Sequence, residues 1–428
     1  MAAGGCALGA LAFGVAACGE EEESGGAAPA GEEAQIDLTV GSLLPLSGDL
    51  ADQGPAGAKS VDLAIDVLEN AIKDAGVDHS VESLQGDSQT NPQAAVQLAR
   101  DQVGDDATCL TGPWSSGENI PVAQSVSIRE EVPNISPSST ADEVSELEDD
   151  GFNARTVTPD AIQAVALANL VEQELGNAEG TVINIGARDD PYGTNLAEKF
   201  REQWEERGGE IGEEVIYDPG LQSYDSEAEQ IVAGDPDGWV IVDFPETYGK
   251  VGPALARTGD FDPSRTFMTD GNTSDTLAKD VGPEASEGVL GTVPGAPNDF
   301  EATTAFDDLF EQSNLKPPAQ VAFDPQQFDA VVTCYLSAVA AGSTEGADIS
   351  EQIIETTGPP GDKYTWEELP GAIEALQNGD DIDYEGASGP IDMDETGTAT
   401  TGVYDVYSYE KGEFNPEVDE VKVGDLEE

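Results

Sequence analysis

The sequence predicts an α/β protein built from two doubly wound parallel-sheet lobes that are joined by a multi-strand hinge. Short apolar runs typical of strands alternate with longer runs of helical periodicity over most of the 428 residues. The alternation pauses near residue 155 and then restarts, and a third region returns to the same pattern after residue 293. Two lobes with several chain crossings between them form a hinged cleft.

The first lobe begins with a strand and turn at residues 36–48, IDLTVGSLLPLSG. Residues 54–75 carry apolar side chains near helical spacing, and residues 81–85 form the next strand. A second helix starts at Pro92, because a proline in the first helical turn leaves no N–H group unbonded. An apolar strand that ends at Thr111 follows.

The second lobe starts with a helical run at residues 162–175 and contains a helix at residues 191–207. Its strands are predicted at residues 181–185, 213–217, 239–244, 265–269 and 288–293. The third region has helical periodicity at residues 328–341 and 366–376 and an alternating β stretch at residues 389–409.

These elements predict the domain boundaries. The N-terminal lobe comprises residues 36–155 and 294–345, the C-terminal lobe residues 156–293 and 346–385, and a hinge-crossing β segment and tail residues 386–428.

Two hydroxyl-rich turns follow neighbouring strands of the first lobe. The turn GPWSSG occupies residues 112–117, and the turn PSST occupies residues 137–140. The carboxyl ends of parallel strands meet at one edge of a sheet, and open α/β sheets bind small ligands at that edge. We therefore expect a ligand site at these two turns.

Acidic side chains dominate the composition. The chain has 87 Asp and Glu against 17 Lys and Arg, a net charge of -70. This charge argues against nucleic acid and anionic membrane surfaces as partners. Screening at molar salt acts over about 3 Å and removes most self-repulsion, so we expect a halophilic acidic protein. The 38% hydrophobic content falls in periodic runs, which argues against acidic disorder beyond the N-terminus.

The N-terminal residues predict export and anchoring. Residues 1–17 have an uncharged apolar stretch too short to span a bilayer, and we interpret them as a signal peptide. The sequence VAACG at residues 15–19 resembles the lipobox of a bacterial lipoprotein, which implies a lipid-modified Cys18; plain secretory cleavage is the alternative. Residues 18–35 are rich in Glu, Gly and Ala and predict an acidic flexible stalk. We expect an extracytoplasmic protein tethered to the cell membrane.

Two of the four cysteines lie in the predicted folded body. Cys109 is on the strand that leads into the GPWSSG turn, and Cys334 is on a small-residue face of the helix at residues 328–341. Small residues allow a helix to approach a sheet closely, as a disulfide requires. In an oxidising compartment the two cysteines either pair or remain two buried thiols.

The sequence offers little for catalysis. Its one histidine, His79, lies at the start of a strand and far from the two turns, so a Ser-His-Asp chain order is not available. The sequence has no Gly-rich phosphate loop, no Cys/His metal cluster and no calcium-loop spacing. We predict a binding protein rather than an enzyme, with no cofactor and no metal ion.

Five short motifs occur in a fixed order. They are PLSG at residues 45–48 followed by Gly54 and Gly57, GPWSS at 112–116, ISPSST at 135–140, DPYG at 190–193, and GPID at 389–392 leading to Gly397. Together they resemble the periplasmic binding proteins of type I, in particular the branched-chain amino acid (Leu/Ile/Val)-binding family of ABC transporters. The resemblance covers about residues 36–412 and implies capture of a small amino acid-like ligand between two lobes. It also implies delivery to the membrane permease subunits of an ABC importer.

The resemblance implies roles for five residues. In that family a serine after the third strand, with small residues and a threonine after the fourth, holds the ligand α-carboxylate; the matching positions are Ser116, Ser138 and Thr140. Hydroxyl groups bind an anion without a basic residue. A tyrosine of the family closes on the ligand from the second lobe, and its match is Tyr192. The ligand ammonium meets an acid for which Asp270 is the candidate, although MTDG at 268–271 is shorter than the family pattern.

Trp114, Ser115 and Phe244 complete the candidate site as lining residues of the same cleft. Alternatives stay open at this point, because hydroxyls in such turns also serve only as helix caps. The ligand could be a short amide or urea, and a ligand-sensing ectodomain of the same fold is a second functional class. We expect a monomer.

Overall fold

The computed structural model describes residues 35–297, 300–316, 322–400 and 402–421. The predictions for the signal peptide, for Cys18 and for nearly all of the stalk fall on residues 1–34, outside that range. None of the helices in the described ranges combines the length and the apolarity that crossing a bilayer requires.

The first lobe is a five-stranded parallel sheet in the order β2-β1-β3-β4-β5 with helices on its faces. Its strands are β1 Asp37–Leu44, β2 Ser80–Asp87, β3 Cys109–Thr111, β4 Asn134–Ser136 and β5 Asn153–Arg155. Its helices are α1 Gly54–Ala75, α2 Pro92–Gly104, α3 Ser116–Val122 and α4 Ile128–Glu130, with a π-helical segment Ala123–Ser127 between the last two. Helix α1 ends at Gly76, whose φ of 74° suits glycine.

The second lobe repeats this architecture. Its helices are α5 Asp160–Leu175, α6 Pro191–Glu206, α7 Asp225–Ile231, α8 Pro245–Thr258, α9 Leu277–Val281 and α10 Pro283–Ser286. Its parallel strands are β6 Val182–Arg188, β7 Glu210–Tyr217, β8 Gly238–Val242, β9 Thr266–Met268 and β10 Val289–Gly295. Strand β8 is buried over its whole length, which explains its continuous apolar sequence.

The chain then returns to the first lobe and finally to the second. The returning elements are α11 Glu301–Gln312, α12 Asp324–Ala341, α13 Gly346–Ser350, α14 Ile353–Thr356, β11 Asp362–Thr365, α15 Leu369–Asn378, β12 Ile382–Gly386 and β13 Gly389–Pro390. Strands β14 Val403–Glu410 and β15 Glu413–Val421 extend the second sheet, whose order is β15-β14-β10-β9-β8-β6-β7.

The structure corrects the predicted boundary at residues 346–385. The sequence pattern places these residues in the C-terminal lobe. In the structure α13, α14, α15 and β12 pack against α12, and α15 also packs against α1. The Nε1–H group of Trp366 donates to the carbonyl of Ala302 at 2.9 Å, and the Tyr384 hydroxyl donates to Asp329 at 2.8 Å. The segment covers the apolar α12 helix, which is buried almost all round and needs a cover on its outer side.

Residues 389–409 also differ from the predicted continuous β stretch. Among the described residues of this range only β13 and β14 are strands. The chain passes between the lobes after β5, after β10 and after β13. A bridge between Arg155 and Thr398 joins the first crossing to the third. The first and third crossings of the hinge therefore lie side by side.

The strand orders determine where a ligand can bind. In the first sheet β1 lies between β2 and β3, and in the second sheet β6 lies between β7 and β8. At such a switch point adjacent loops diverge and leave a crevice beyond the carboxyl ends of the strands. The GPWSSG turn follows β3 and the DPYG motif follows β6, so both lie at these crevices.

Cys109 on β3 and Cys334 on α12 form a disulfide, with 6.0 Å between their Cα atoms. Both residues are fully buried. Of the two states that the sequence left open, the structure contains the paired one, and it attaches the central helix to the strand beneath the GPWSSG turn.

Candidate functional site

The two hydroxyl-rich turns of the first lobe are hydrogen-bonded to each other. Gly112 has a φ of 90°, and a Cβ atom there would lie 2.3 Å from the Leu43 carbonyl oxygen, so the tight turn after β3 requires glycine. The Ser138 hydroxyl donates to the Trp114 carbonyl at 2.8 Å. The Ser116 hydroxyl accepts from the Ala141 N–H at 3.1 Å. Ser116 therefore retains its proton for a ligand oxygen, and Ser138 retains lone pairs for a ligand donor.

Arg155 holds the PSST turn in place from behind. Its side chain is fully buried, and its guanidinium donates to the carbonyls of Ser139 and Ala141 at 2.9 and 3.0 Å. It also donates to the Thr398 hydroxyl at 3.2 Å, in the third hinge segment. Burial lowers the pKa of Arg155 to about 10, so the guanidinium remains charged at neutral pH. One side chain thus joins the PSST turn to the hinge.

The second lobe supplies an aromatic pair and an acid. Asp190 caps α6 by accepting from the Gly193 N–H at 2.9 Å, which places Tyr192 in the first helical turn. The Tyr192 ring stacks on Phe244, with 5.3 Å between ring centroids. Its hydroxyl donates to Asp270 at 2.9 Å and lies 2.7 Å from the Thr269 hydroxyl. Burial raises the pKa of Tyr192 well above its ordinary value, so this hydroxyl stays protonated.

Two carboxyl groups are buried at the site. Burial raises the pKa of Asp270 to about 6. Asp160, at the start of α5, has its pKa raised well above the ordinary value by burial and then by the charge of Asp270. Neither carboxyl oxygen of Asp160 makes a hydrogen bond of normal geometry with a described residue. The buried Arg155 guanidinium is an opposite charge for Asp160, but it lowers the pKa of that carboxyl by less than burial and Asp270 raise it. The two buried acids therefore still favour an added cation.

A narrow cavity lies between these groups, with about 250 Å³ of space between protein atoms that is partly open to solvent. Its wall consists of Leu50, Gln53, Trp114, Ser115, Ser116, Ser138, Tyr192, Phe244, Asp270, Gly271 and Phe323. The structure therefore brings together seven of the eight ligand residues chosen from the sequence. The eighth, Thr140, is buried beside the cavity, where its carbonyl accepts from the Asp160 N–H at 2.8 Å.

Five residues of this site were not chosen from the sequence, and one of them is Gly271, the neighbour of Asp270. Leu50 and Gln53 follow the PLSG motif, whose position after β1 was a usable signal. Asp160 begins a helix directly after the first crossing, but one acid among 87 Asp and Glu carries no signal in the sequence alone. Phe323 comes from the returning chain and reaches the cavity only through the packing of α12.

Contacts between the lobes close the cavity. The Gln53 amide donates to the Thr273 hydroxyl at 2.9 Å and to the Thr273 carbonyl at 3.2 Å, across the cleft. The Ser274 hydroxyl donates to Asp52 at 2.5 Å. Arg188, which also contacts the Phe244 ring at 3.7 Å, pairs with Asp49 of the first lobe at 2.9 Å. The structure is a closed arrangement of the two lobes.

The wall of the cavity carries hydroxyl, carboxyl and aromatic side chains. No histidine, lysine, arginine or cysteine is among its wall residues. His79 lies elsewhere, 2.8 Å from the Tyr335 hydroxyl. In the described ranges no three His, Cys, Asp or Glu side chains converge closely enough to hold a metal ion. The arrangement offers hydroxyls, two acids and aromatic faces, which bind a small molecule with a polar head and an apolar body.

Comparison with known proteins places this geometry in context. A family model described as "Periplasmic binding protein" matches residues 37–413. The chemotactic signal transduction system substrate-binding protein BasB of Halobacterium salinarum is 24% identical over 373 residues, which cover 85% of each protein.

Two solved structures illustrate the shared fold. The leucine binding protein LivK of Thermotoga maritima has a TM-score of 0.74 at 20% identity, covering 91% of this chain and 100% of that one. A solute binding protein of an ABC transporter from R. palustris, in complex with benzoate, has a TM-score of 0.66 at 18% identity with the same coverage. At these identities the similarity establishes the fold. The ligand class has to be inferred from the chemistry of the site.

Proposed function

Because this chain belongs to the periplasmic binding protein family, we propose that it captures a small α-amino acid between its lobes and delivers it to an ABC importer. We infer the ligand class from the serine turns, from the buried acids opposite them and from the aromatic wall of the cavity. The proposal is binding without turnover.

The observation that carries the proposal is the pair of buried acids opposite the serine turns. Burial raises the pKa of both Asp270 and Asp160, and an ammonium group beside them would offset the cost of burying their charged forms. Ser116 offers its proton to a carboxylate oxygen, since its own oxygen already accepts from the Ala141 N–H. An α-amino acid carries both groups on neighbouring atoms, and a short amide or urea carries neither charge.

The rest of the wall fits an apolar side chain. Leu50, Trp114, Phe244 and Phe323 are apolar residues of the cavity, and the aromatic three are almost completely buried. A Leu-, Ile- or Val-sized side chain placed against them loses its contact with water, which stabilises binding by about 25 cal/mol per Å² of apolar surface. The structural relative named for leucine agrees with this choice, and the benzoate-bound one favours an aromatic acid as the alternative ligand.

Closure couples ligand capture to delivery. The cavity is lined by Ser116 and Ser138 of the first lobe and by Tyr192 and Asp270 of the second. A ligand can contact both pairs at the same time only when the cleft is closed. A ligand that touches both lobes binds the closed form better than the open form and shifts the population toward it. A permease that recognises the closed form can thus distinguish a loaded protein from an empty one.

The remaining parts of the proposal concern location. A lipid on Cys18 and the acidic stalk at residues 18–35 would hold a monomer at the outer face of the cell membrane, close to the permease subunits. The net charge of -70 would suit this protein to a surrounding medium of molar salt.

A second function is favoured by one comparison. The relative BasB is named for a chemotactic signal transduction system, so the closed form could be read by a signalling receptor rather than a permease. Purified protein loaded with its ligand would be offered to both membrane partners. Retention by the permease alone supports import, and retention by the receptor alone overturns it in favour of sensing.

Calorimetric titration against individual amino acids, benzoate, short amides and urea tests the ligand class. We expect binding of a branched-chain amino acid with no product formed. Asp270→Asn should weaken it roughly 10- to 100-fold, because a hydrogen bond to a charged group is worth about 1.5–3 kcal/mol. Asp380→Asn, on the exposed surface, is the matched control. Tight binding of urea or benzoate with no amino acid binding would overturn the proposal.

A further inference from the structure

Phe323 separates the ligand cavity from a second and larger cavity. The second cavity contains about 1480 Å³ of space between protein atoms, partly open to solvent, next to the hinge. Phe323 is the one residue that lines both cavities among those described. Its side chain is 3% exposed, so the ring fills the position between them.

The backbone and the packing around Phe323 fix the ring in this position. Its φ of 63° lies in the left-handed region, which costs a phenylalanine of the order of 1–3 kcal/mol. The Phe323 carbonyl accepts from the Gln327 N–H at 2.9 Å, and the ring meets Trp114 edge-on, with 6.1 Å between ring centroids. Gln327 in turn accepts from the Trp114 Nε1–H at 2.9 Å and donates to the Thr111 hydroxyl at 3.1 Å. The strained residue is therefore held by contacts on both sides.

The chemistry beyond Phe323 differs from that of the ligand cavity. The second cavity has aromatic residues on its wall, among them Phe300 and Phe414, and carboxyl groups such as Asp307 and Asp405. No lysine or arginine lines it within the described ranges. Burial, followed by the charges of Glu417, Glu420 and Asp307, raises the pKa of Asp405 to about 7, so a cation placed there would be stabilised. An aliphatic chain ending in a positive charge suits this surface.

We propose that Phe323 determines ligand length: its ring limits the site to a small ligand, and its removal joins the two cavities into one site for a longer ligand with a cationic end. The inference rests on the proposed function, because it takes the first cavity as the binding site for the amino acid head group. It goes beyond that function in two respects. Phe323 sets the largest ligand that the site accepts, and the second cavity prefers a positively charged group.

Phe323→Gly tests the inference, since glycine adopts a φ of 63° without steric cost and the backbone should be retained. Leucine and arginine are titrated into both proteins. We expect the arginine affinity, relative to leucine, to rise roughly tenfold or more, because filling or rejecting a few methylene groups changes binding by 10- to 200-fold. Phe323→Leu should give a smaller change in the same direction, and it replaces the glycine variant if that protein does not fold.

Phe300→Ala is the matched control, because it removes a phenyl ring from the wall of the second cavity and leaves Phe323 in place. It should leave the arginine to leucine ratio unchanged. An equal gain in Phe300→Ala, or a folded Phe323→Gly protein that keeps the ratio of the unmodified protein, would overturn the inference.

Butylamine and diaminooctane separate this inference from the proposed function, since neither carries a carboxylate. If the unmodified protein binds no amino acid, the proposed function fails. If Phe323→Gly then raises the affinity for diaminooctane relative to butylamine, the role of Phe323 as the barrier between the cavities is still supported. An affinity ratio that is the same in both proteins would reject that role.

Discussion

Arg188 of the second lobe forms an ion pair with Asp49 of the first, with 2.9 Å between Nη2 and Oδ2. The arginine side chain is 4% exposed and the aspartate side chain 31% exposed. Arg188 also pairs with Asp190 and Asp243 of its own lobe, so the charges that hold the arginine are present before closure. The bond to Asp49 is the part of this cluster that depends on the lobes being closed.

Replacing Asp49 should therefore loosen closure. Asp49→Asn is expected to weaken ligand affinity about two- to fivefold at low salt, the range of a partly exposed ion pair, and less at molar salt. Calorimetry at both salt concentrations measures the difference. Asp190→Asn removes a charge from the same arginine within one lobe and keeps a capping side chain on α6, so it is the control. An equal loss in the Asp190 variant would contradict a role in closure.

Ligand affinity should depend on pH through Asp270. Its pKa is raised to about 6, so the carboxyl is charged above pH 6 and becomes protonated as the pH falls below it. An ammonium ligand then loses its partner, and affinity should fall up to about tenfold per pH unit below 6. Titrations between pH 5 and 8 measure the slope. Asp270→Asn should remove the pH dependence of the affinity. If that variant keeps the same slope, another group causes the pH dependence.

Binding should also release a proton. Burial and the charge of Asp270 raise the pKa of Asp160 well above its ordinary value, which favours the protonated carboxyl in the ligand-free protein. An ammonium group nearby favours the charged carboxylate and expels the proton. Calorimetry in buffers with different ionisation enthalpies detects such release at neutral pH. Asp160→Asn should bind without it, and identical heats in all buffers for the unmodified protein would contradict the expectation.

The disulfide should contribute strongly to stability. Cys109 and Cys334 are separated by 225 residues, and the chain-entropy model gives about 5 kcal/mol for a loop of that length. The double replacement by serine is expected to lower the free energy of unfolding by about 2–5 kcal/mol. Denaturant titrations with and without reductant measure this. The variant should not respond to reductant, and an unmodified protein that is equally stable in both conditions would contradict the prediction.

Stability should rise with salt. A chain of net charge -70 repels itself in dilute buffer, and screening removes most of that repulsion at molar NaCl. Thermal unfolding from dilute buffer to several molar NaCl is expected to show a continuous rise in midpoint. Sucrose strengthens apolar burial without screening and serves as the control. Equal effects of sucrose and NaCl, or no effect of NaCl, would reject a charge-based origin.

The sequence predicted the parts of the site that follow strands directly. Trp114, Ser116 and Ser138 come from two turns at neighbouring strand ends, and the edge of a parallel sheet brings such turns together. Tyr192 was found through its motif and is fixed locally by the Asp190 cap. These residues need only the correct strand order to meet.

Other features depended on packing that no local pattern determines. Both lobes have the same alternation of strands and helices, so residues 346–385 fitted either lobe by pattern, and only their contacts with α12 place them in the first. Phe323 likewise reaches the cavity because α12 returns to the first sheet, where the disulfide attaches it. Asp160 became visible only through its burial, since the sequence is acidic throughout.

The bond between Cys109 and Cys334 also has a mechanical consequence. The ring that it closes contains nearly all of the second lobe, leaving out β14 and β15. A single proteolytic cut within that ring leaves one covalent molecule, whose two pieces separate only after reduction. A force applied to the two ends of the chain cannot extend the ring. The fully stretched molecule is therefore shorter by about 800 Å than it would be without the disulfide. Much of the cavity wall, including Trp114, Tyr192 and Asp270, lies inside this ring.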